Sequence, residues 1–435
     1  TRLRHCFAQG CWYLWDGQRW AKDETGHVYQ LAKQVVETIH QEAINKSGDL
    51  AQALSKHAHR SGNAVRINSM IEMARTEARI SVRLNQLDSN PTLLNCMNGT
   101  LDLVTGKLYP HAPKDLLTKV IPINYHPEQK SVVWEDFLKT TVQGDQELLT
   151  FLQRVTGYSF SGLTEEENVF FVYGPGGTGK TTFIEAIKGT LGEDYCKTAS
   201  FSTFLKAGNI APNAPRSDIA RLAGARLVSA IETAKGRQLA EDLIKATTGG
   251  DKIVTRGLYQ QEFEFLPQYK LWLASNDKPR VREDDTGLWR RLLLIPFYHV
   301  IENPNKQLKQ VLRQEVHREA ILAWAVEGFK AWRKNGWEIP TRVQEETSVY
   351  RKEMNSFTLW LEDCCESGNE PTPFRLLWSS YNEWLRTQPH SVQTSAAIES
   401  MKAFGQELQK EGYEPGFERI AGRQQRVYYK IRIVN

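Results

Sequence analysis

The sequence predicts an α/β protein: a parallel sheet with crossover helices in the middle of the chain, flanked by an N-terminal α-rich domain with hairpins and a C-terminal winged-helix-like domain. Three observations predict it. Short apolar runs at Val169–Tyr173, Leu227–Ile231, 271–274 and 292–295 alternate with helical patterns, as buried parallel strands and their crossovers do. Upstream of residue 125 the periodicity is mainly helical, and beyond residue 300 helices return and end in a hairpin.

The 435 residues suggest about three domains at roughly 150 residues each. We place them at 1–125, 126–300 and 301–435. Hydrophobic residues make up 40% and charged residues 24%, with a mean hydropathy of −0.49, which excludes a disordered chain. No apolar run approaches a membrane span and no signal peptide opens the chain, so a cytoplasmic protein without a membrane partner is expected. The chain begins at Thr1 without an initiator Met, as a piece of a longer polypeptide would. A net charge of +4 is too small to argue for nucleic acid by itself. The six cysteines show no metal-ligand spacing and read as reduced thiols.

In order along the chain, WYLWDGQRWA reads as a hairpin turning at Asp16-Gly17. Leu31, Val35, Ile39 and Ala43 mark one helix, and Ile67, Met70, Ile71, Ala74 and Ala78 a second. A hairpin around Thr105-Gly106 follows, then a proline-punctuated stretch, 111–127, that reads as a linker. Past the sheet, residues 307–334 and 343–366 read as helices whose Trp332 and Trp360, with Trp378 and Trp384 beyond, belong to the core. The last window, 401–435, carries Lys402, Lys410, Arg419, Arg423, Arg426, Lys430 and Arg432. Its hairpin at Ala421-Gly422 suits a basic wing against DNA backbone, or a solvated face against another subunit.

The strongest chemical signal is Gly174, Pro175, Gly176, Gly177, Thr178, Gly179, Lys180 and Thr181, followed by Thr182: a GxxxxGK[ST] loop between an apolar strand and an amphipathic helix. Glycines let backbone N–H groups curl toward phosphate, and the helix N-terminus adds partial positive charge. Lys180 then reaches the outer phosphates of ATP, and the Thr181 hydroxyl binds Mg²⁺. Such a loop needs an acid on a neighbouring strand, and RLVSAIET supplies Glu232, a second ligand for Mg²⁺. Asn276 closes KLWLASN, where its amide either contacts phosphate and water or simply ends the strand. Arg290 and Arg291 enter the last strand, as a solvated pair or as arginines reaching a neighbour's nucleotide.

With these residues in place, the chain resembles the superfamily 3 helicases, specifically the helicase half of the phage/plasmid and poxvirus-type primase-helicases. The matching text is GPGGTGKTT, RLVSAIET, IKATTGGDKIVTRGLY, KLWLASNDKP and GLWRRLLLIPF, and it is sharp from about residue 130 to 300. The resemblance implies an AAA+-like P-loop motor, a homo-hexameric ring that hydrolyses ATP between subunits and translocates on single-stranded and forked DNA during replication. In that family Lys180 and Thr181 hold phosphate and Mg²⁺, Glu232 is the Walker B acid, Asn276 is sensor 1, and Arg290 or Arg291 is the arginine finger. Relatives often carry two adjacent acids; here Ile231 precedes Glu232, so one carboxylate could serve both as metal ligand and as base.

Residues 249–267 correspond to a hairpin lining the central channel, with Lys252, Arg256 and Tyr259 offering cationic and aromatic contacts to DNA. Arg256 could equally brace the hairpin against Asp251. Primase activity is expected upstream or on a separate chain, and the site of action in a bacterial host's cytoplasm or a virus replication site. Two other readings of the sequence remain open: a P-loop ATPase acting on protein, and a non-catalytic origin-binding module.

Overall fold

The computed structural model describes residues 2–206, 215–231, 238–258, 262–282, 285–388, 392–393 and 396–434. At the N-terminus β1 (Leu3–Cys6), β2 (Cys11–Trp15) and β3 (Trp20–Lys22) form an antiparallel sheet. Asp16 closes the expected turn, its carboxylate accepting from the backbone N–H groups of Gln18 and Arg19, each at 2.8 Å. Asp23 then caps α1 (His27–Ile44), accepting from His27 N at 2.8 Å and Val28 N at 2.9 Å.

The buried stripe of α1 is Val28, Ala32, Val36 and Ala43, one position round from the expected Leu31, Val35 and Ile39. Val35 is exposed instead. Small Ala32 lets the helix close on Trp12, Ile67 and Ile71. Helix α2 (Gly48–Ser61), which the periodicity does not announce, buries only Ala58 and Ser61, and α3 (Ala64–Ala74) buries Ile67 and Ile71.

A second antiparallel sheet joins β4 (Leu93–Cys96), β5 (Gly99–Asp102) and β6 (Lys107–Tyr109), with the turn at Thr105-Gly106 as predicted. The expected linker 111–127 is not a free tether. Leu117, Ile121, Ile123 and Tyr125 are buried, and Ile121 N donates to Asn95 O at 2.7 Å, so the segment lies along β4. Prolines break its helical pattern without making it solvent-exposed.

Helices α4 (Val132–Thr141) and α5 (Gln146–Phe160) lead into the central sheet. Its strands are β7 (Val169–Tyr173), β8 (Cys196–Thr198), β9 (Leu227–Ile231), β12 (Lys270–Ser275) and β13 (Leu292–Pro296); β10 (Ile253–Thr255) and β11 (Phe263–Phe265) form a separate hairpin. The order is β13-β7-β12-β9-β8 and every pairing is parallel. This is the predicted AAA+-like architecture, with helices on both faces, which is why the strands read as unbroken apolar runs.

One face is covered by α4, α5, α6 (Lys180–Tyr195) and α11 (Glu315–Asn335), through Phe137, Phe151, Phe183, Ile187 and Phe329. The other is covered by Phe204, Leu222, Ile244 of α8 (Glu241–Thr248) and Tyr350 of α12 (Thr341–Glu353). Between them in the chain lie the short α7 (Ser217–Ala220), α9 (Thr286–Trp289) and α10 (Leu308–Leu312). The first core runs from Leu94 to Val343, so the second N-terminal sheet and α11 share it with the central sheet.

Helices α5 and α11 meet backbone to backbone: a β-carbon added at Gly157 would lie 2.2 Å from Phe329 N, and one at Gly328 2.0 Å from Gln153 O. Arg226, fully buried, donates to Leu93 O at 2.7 Å and Phe160 O at 3.0 Å and so ties the N-terminal sheet to α5.

The C-terminal region packs α13 (Ser356–Cys364), α14 (Phe374–Thr387) and a helix at Met401–Lys410 beside the sheet β15-β17-β16: β15 (Thr372–Pro373), β16 (Pro415–Ile420) and β17 (Arg423–Tyr428). Three helices against a small sheet with a protruding hairpin are the winged-helix-like form the tail predicts. Trp332, Trp360 and Trp384 are buried and Trp378 is half-buried, so the tryptophans are core, as expected.

Candidate nucleotide site and its flanking basic hairpins

Strand β7 stops at Tyr173 and the chain turns through 174–179 into α6. The turn requires glycine at its ends. A β-carbon at Gly174 would lie 1.8 Å from the Phe297 carbonyl oxygen, because Phe297 N pairs with Tyr173 O at 2.7 Å just beside it. Gly179, with φ of 89°, caps α6 in the left-handed region, where its Cα faces the Phe137 ring and the Thr141 hydroxyl.

Lys180 is buried, and its ammonium donates to Gly174 O and Pro175 O, both at 2.6 Å, and to Thr178 Oγ1 at 3.4 Å. Burial pulls its pKa down from the usual lysine value to about 8. Thr178 in turn donates to Pro175 O at 3.1 Å. Pro175, Gly176 and Gly177 are exposed, and Thr181 and Thr182 are half-buried on the first turn of α6. The loop therefore offers an exposed rim and a buried cation at a helix N-terminus, a setting built for a polyphosphate.

Register brings the other expected groups to this edge or sends them away. Ser275 pairs with Tyr173 and Ala274 with Ile231, so Asn276, exposed, stands alongside the loop, and β9 ends at the same edge. Glu232 itself lies outside the described residues.

Arg290 and Arg291 stand at the opposite edge, since Leu292 pairs with Val169 and Arg291 O accepts from Val169 N at 2.8 Å. The five-residue strand at roughly 3.3 Å per residue separates them from the loop by about 16 Å. The two arginines differ. Arg291 is buried, bound to Glu167 at 2.5 Å and to Gly287 O at 2.9 Å, whereas Arg290 is exposed, with Glu167 at 3.4 Å.

The hairpin at 249–267 forms from β10 and β11 as expected. Exposed Lys252 faces Glu264 at 3.1 Å, and Arg256 is half-buried with its carbonyl accepting from Arg216 N at 3.1 Å. Tyr259 lies outside the described residues. On the wing, Arg419 and Arg423 are exposed, while Arg426 packs over Phe374 at 4.8 Å and Arg432 pairs with Glu366.

Sequence reasoning missed Lys278 and Glu167. Lys278 is buried between the rings of Tyr173 and Tyr350, at 4.9 and 5.5 Å, and pairs with Glu353 at 2.9 Å; the only local signal is a lysine just past the strand that Asn276 ends. Glu167, the shared partner of both arginines, has no local signal. Among the described residues no group of three or more His, Cys, Asp and Glu stands at metal-binding distance. A Mg²⁺ held mainly by phosphates needs only one or two protein ligands, which Thr181 at the head of α6 and an acid after β9 fit. Among the described residues no helix is long and apolar enough to cross a membrane.

Sheet and loop together define a P-loop α/β protein. Residues 1–143 match the family described as D5 N terminal like, and residues 172–291 match a family of unknown function, DUF5906. The chain is similar to the Acanthamoeba polyphaga mimivirus protein named "Putative helicase L207/L206", 25% identical over 81% of this chain and 40% of the relative. It is also similar to "Putative helicase 121R" of Invertebrate iridescent virus 3, 23% identical over 68% of this chain and 35% of that protein. The chain thus spans well under half the length of these relatives. Among solved structures, the apo C-terminal region of NrS-1 superposes with a TM-score of 0.52 at 11% identity, covering 98% of this chain and 96% of that one, a likeness of fold. The first third of the chain thus matches a D5 N-terminal-like domain, and its viral relatives are named putative helicases, in line with the resemblance to primase-helicases read from the sequence.

Proposed function

We propose that the chain is the motor of an ATP-dependent replicative DNA helicase that works as a ring, a homo-hexamer, on single-stranded and forked DNA. The observation that carries this reading is the placement of the arginines. An exposed Arg290 at the sheet edge opposite Lys180 is about 16 Å from its own loop, the arrangement expected if it serves the nucleotide of a neighbouring subunit. Buried Arg291, held by Glu167 and Gly287 O, supports the position of Arg290, so Arg290 is the finger and Arg291 its anchor.

In this reading the loop 174–179, Lys180, Thr181 and Thr182 bind the phosphates of ATP. Thr181 and Glu232 hold Mg²⁺, which when bound neutralises phosphate charge. Glu232 also orients the attacking water, and Asn276 contacts the outer phosphate. The hairpin carrying Lys252, Arg256 and Tyr259 grips the DNA backbone in the channel. The three units at 1–125, 126–300 and 301–435 act as collar, motor and DNA-contacting module, with any primer synthesis supplied upstream or by another chain. The setting is a bacterial host's cytoplasm or a virus replication site.

Strand displacement on a forked duplex tests the proposal. The chain should separate strands with ATP and Mg²⁺ and not with a non-hydrolysable analogue, and Lys180→Ala should abolish turnover while DNA binding persists. Hydrolysis stimulated by unfolded polypeptide and not by single-stranded DNA would replace the helicase with a protein-acting ATPase. Nucleotide binding without any turnover would leave the origin-binding module.

A further inference from the structure

We propose that the C-terminal wing carries a stacking site for an unpaired base, formed by the ring of Phe417 with Arg419 beside it. The proposal deepens the helicase reading, on which it rests for the nature of the polymer, and it assigns the wing more than a backbone contact.

Phe417 is 69% exposed on β16. Leaving a phenylalanine in water forfeits about 1.5–3 kcal/mol of available burial, so its place on a regularly paired strand asks for an explanation. The hairpin is not loose. It runs in unbroken register from Pro415 opposite Tyr428 to Ile420 opposite Arg423, and it turns through Ala421 and Gly422 at φ of 50° and 80°, the paired left-handed residues of a tight two-residue turn.

The root is anchored in the core. Val427, Tyr428 and Ile431 are buried, Tyr428 OH donates to Gly405 O at 3.2 Å, and the Arg426 guanidinium, over the Phe374 ring, donates to Tyr428 OH at 2.6 Å. Phe417 is thus presented by a braced ribbon.

The charges around it are sorted. Arg426, Arg432 and Lys410 are engaged with Tyr428, Glu366 and Glu407. The carboxylate next to Phe417, Glu418, accepts from Tyr429 OH at 2.9 Å. Arg419 and Arg423 form no ion pair among the described residues; Arg419 Nε instead donates to Gly422 O at 3.3 Å, which holds it at the turn. Alternation along β16 puts Phe417 and Arg419 on one face of the ribbon. Arg423, opposite Ile420, lies on the other face at the turn. One exposed aromatic ring with an uncommitted guanidinium on its own face matches a nucleotide that is unstacked from its neighbours: the base lies on the ring and a flanking phosphate meets Arg419. Such a contact tolerates any base, because every base has a π face. Duplex DNA hides its faces, so the site selects the first unpaired nucleotide at a fork.

The test uses the full chain with a non-hydrolysable ATP analogue and a fork carrying 2-aminopurine at the first unpaired position. Wild type should quench the probe. Phe417→Ala should abolish the quench and weaken fork binding roughly five- to hundredfold, while Phe417→Trp should restore both. Arg419→Ala should lower the salt dependence of binding by about one phosphate contact. Unaltered quenching by Phe417→Ala would overturn the stacking site while leaving the helicase reading intact. A Phe417→Ala protein that loses self-association and keeps the quench would assign Phe417 to contact between copies. Absence of any DNA binding by wild type would remove the helicase reading and this site together.

Discussion

The depressed pKa of Lys180 makes nucleotide binding pH-dependent in a calculable way. Its ammonium is buried against the loop carbonyls and titrates near 8, against an ordinary value of 10.5. A polyphosphate beside it favours the charged form and returns the pKa upward. Binding at pH 8 should therefore take up about half a proton per site, at pH 9 about 0.9 and at pH 7 about 0.1. The same linkage lowers affinity about tenfold between pH 7 and pH 9, or ~1.4 kcal/mol.

In nucleotide-free protein the sign is consistent with this. The unfolded chain keeps the lysine proton to higher pH than the folded chain, so this residue's contribution to stability rises as pH climbs from about 8 toward 10.5. Isothermal titration of ATP in buffers of different ionisation enthalpy measures the uptake directly, and above pH 8 the triphosphate is itself fully ionised. Uptake that stays flat between pH 7 and pH 9 would refute the assignment of a buried, desolvated ammonium at the loop.

Two further outcomes separate geometry from general fragility. Gly174→Ala drives a methyl group into the Phe297 carbonyl and should cost roughly 1–3 kcal/mol and lower Tm, whereas Gly176→Ala, with nothing within 4 Å, should stay within about 0.5 kcal/mol; equal Tm values would contradict the packing. Arg290→Ala should leave thermal stability within about 1 kcal/mol yet stop hydrolysis, with partial rescue when mixed with Glu232→Gln subunits, while Arg291→Ala should destabilise by about 1–2 kcal/mol through its lost bonds to Glu167 and Gly287 O. Normal turnover by Arg290→Ala, or no rescue in any mixture, would count against a finger acting across subunits.

The parallel strands were legible because burial on both faces turns them into apolar runs such as VFFVY and LLLIP. CKT, the edge strand β8, is too short and too polar to announce itself. Helix α1 holds two competing four-residue stripes, and sequence spacing favours the bulkier Leu31 stripe; packing against Trp12 selects the one with Ala32. The phosphate loop was legible since its residues are contiguous. The pairs that set the surrounding groups are not: Lys278 meets Glu353 across 75 residues and Arg291 meets Glu167 across 124, and only the folded topology unites them. The segment 111–127 shows the converse, since its prolines suggest freedom while Ile121 and Ile123 insert into the core.

Where α5 crosses α11, glycine meets glycine and no side chain intervenes to act as a bearing. A joint of that kind leaves no room for even a methyl group, so the two helices form a single closely fitted layer behind the sheet. In the motor proposed above, any shape change then falls to the face of the sheet away from these two helices.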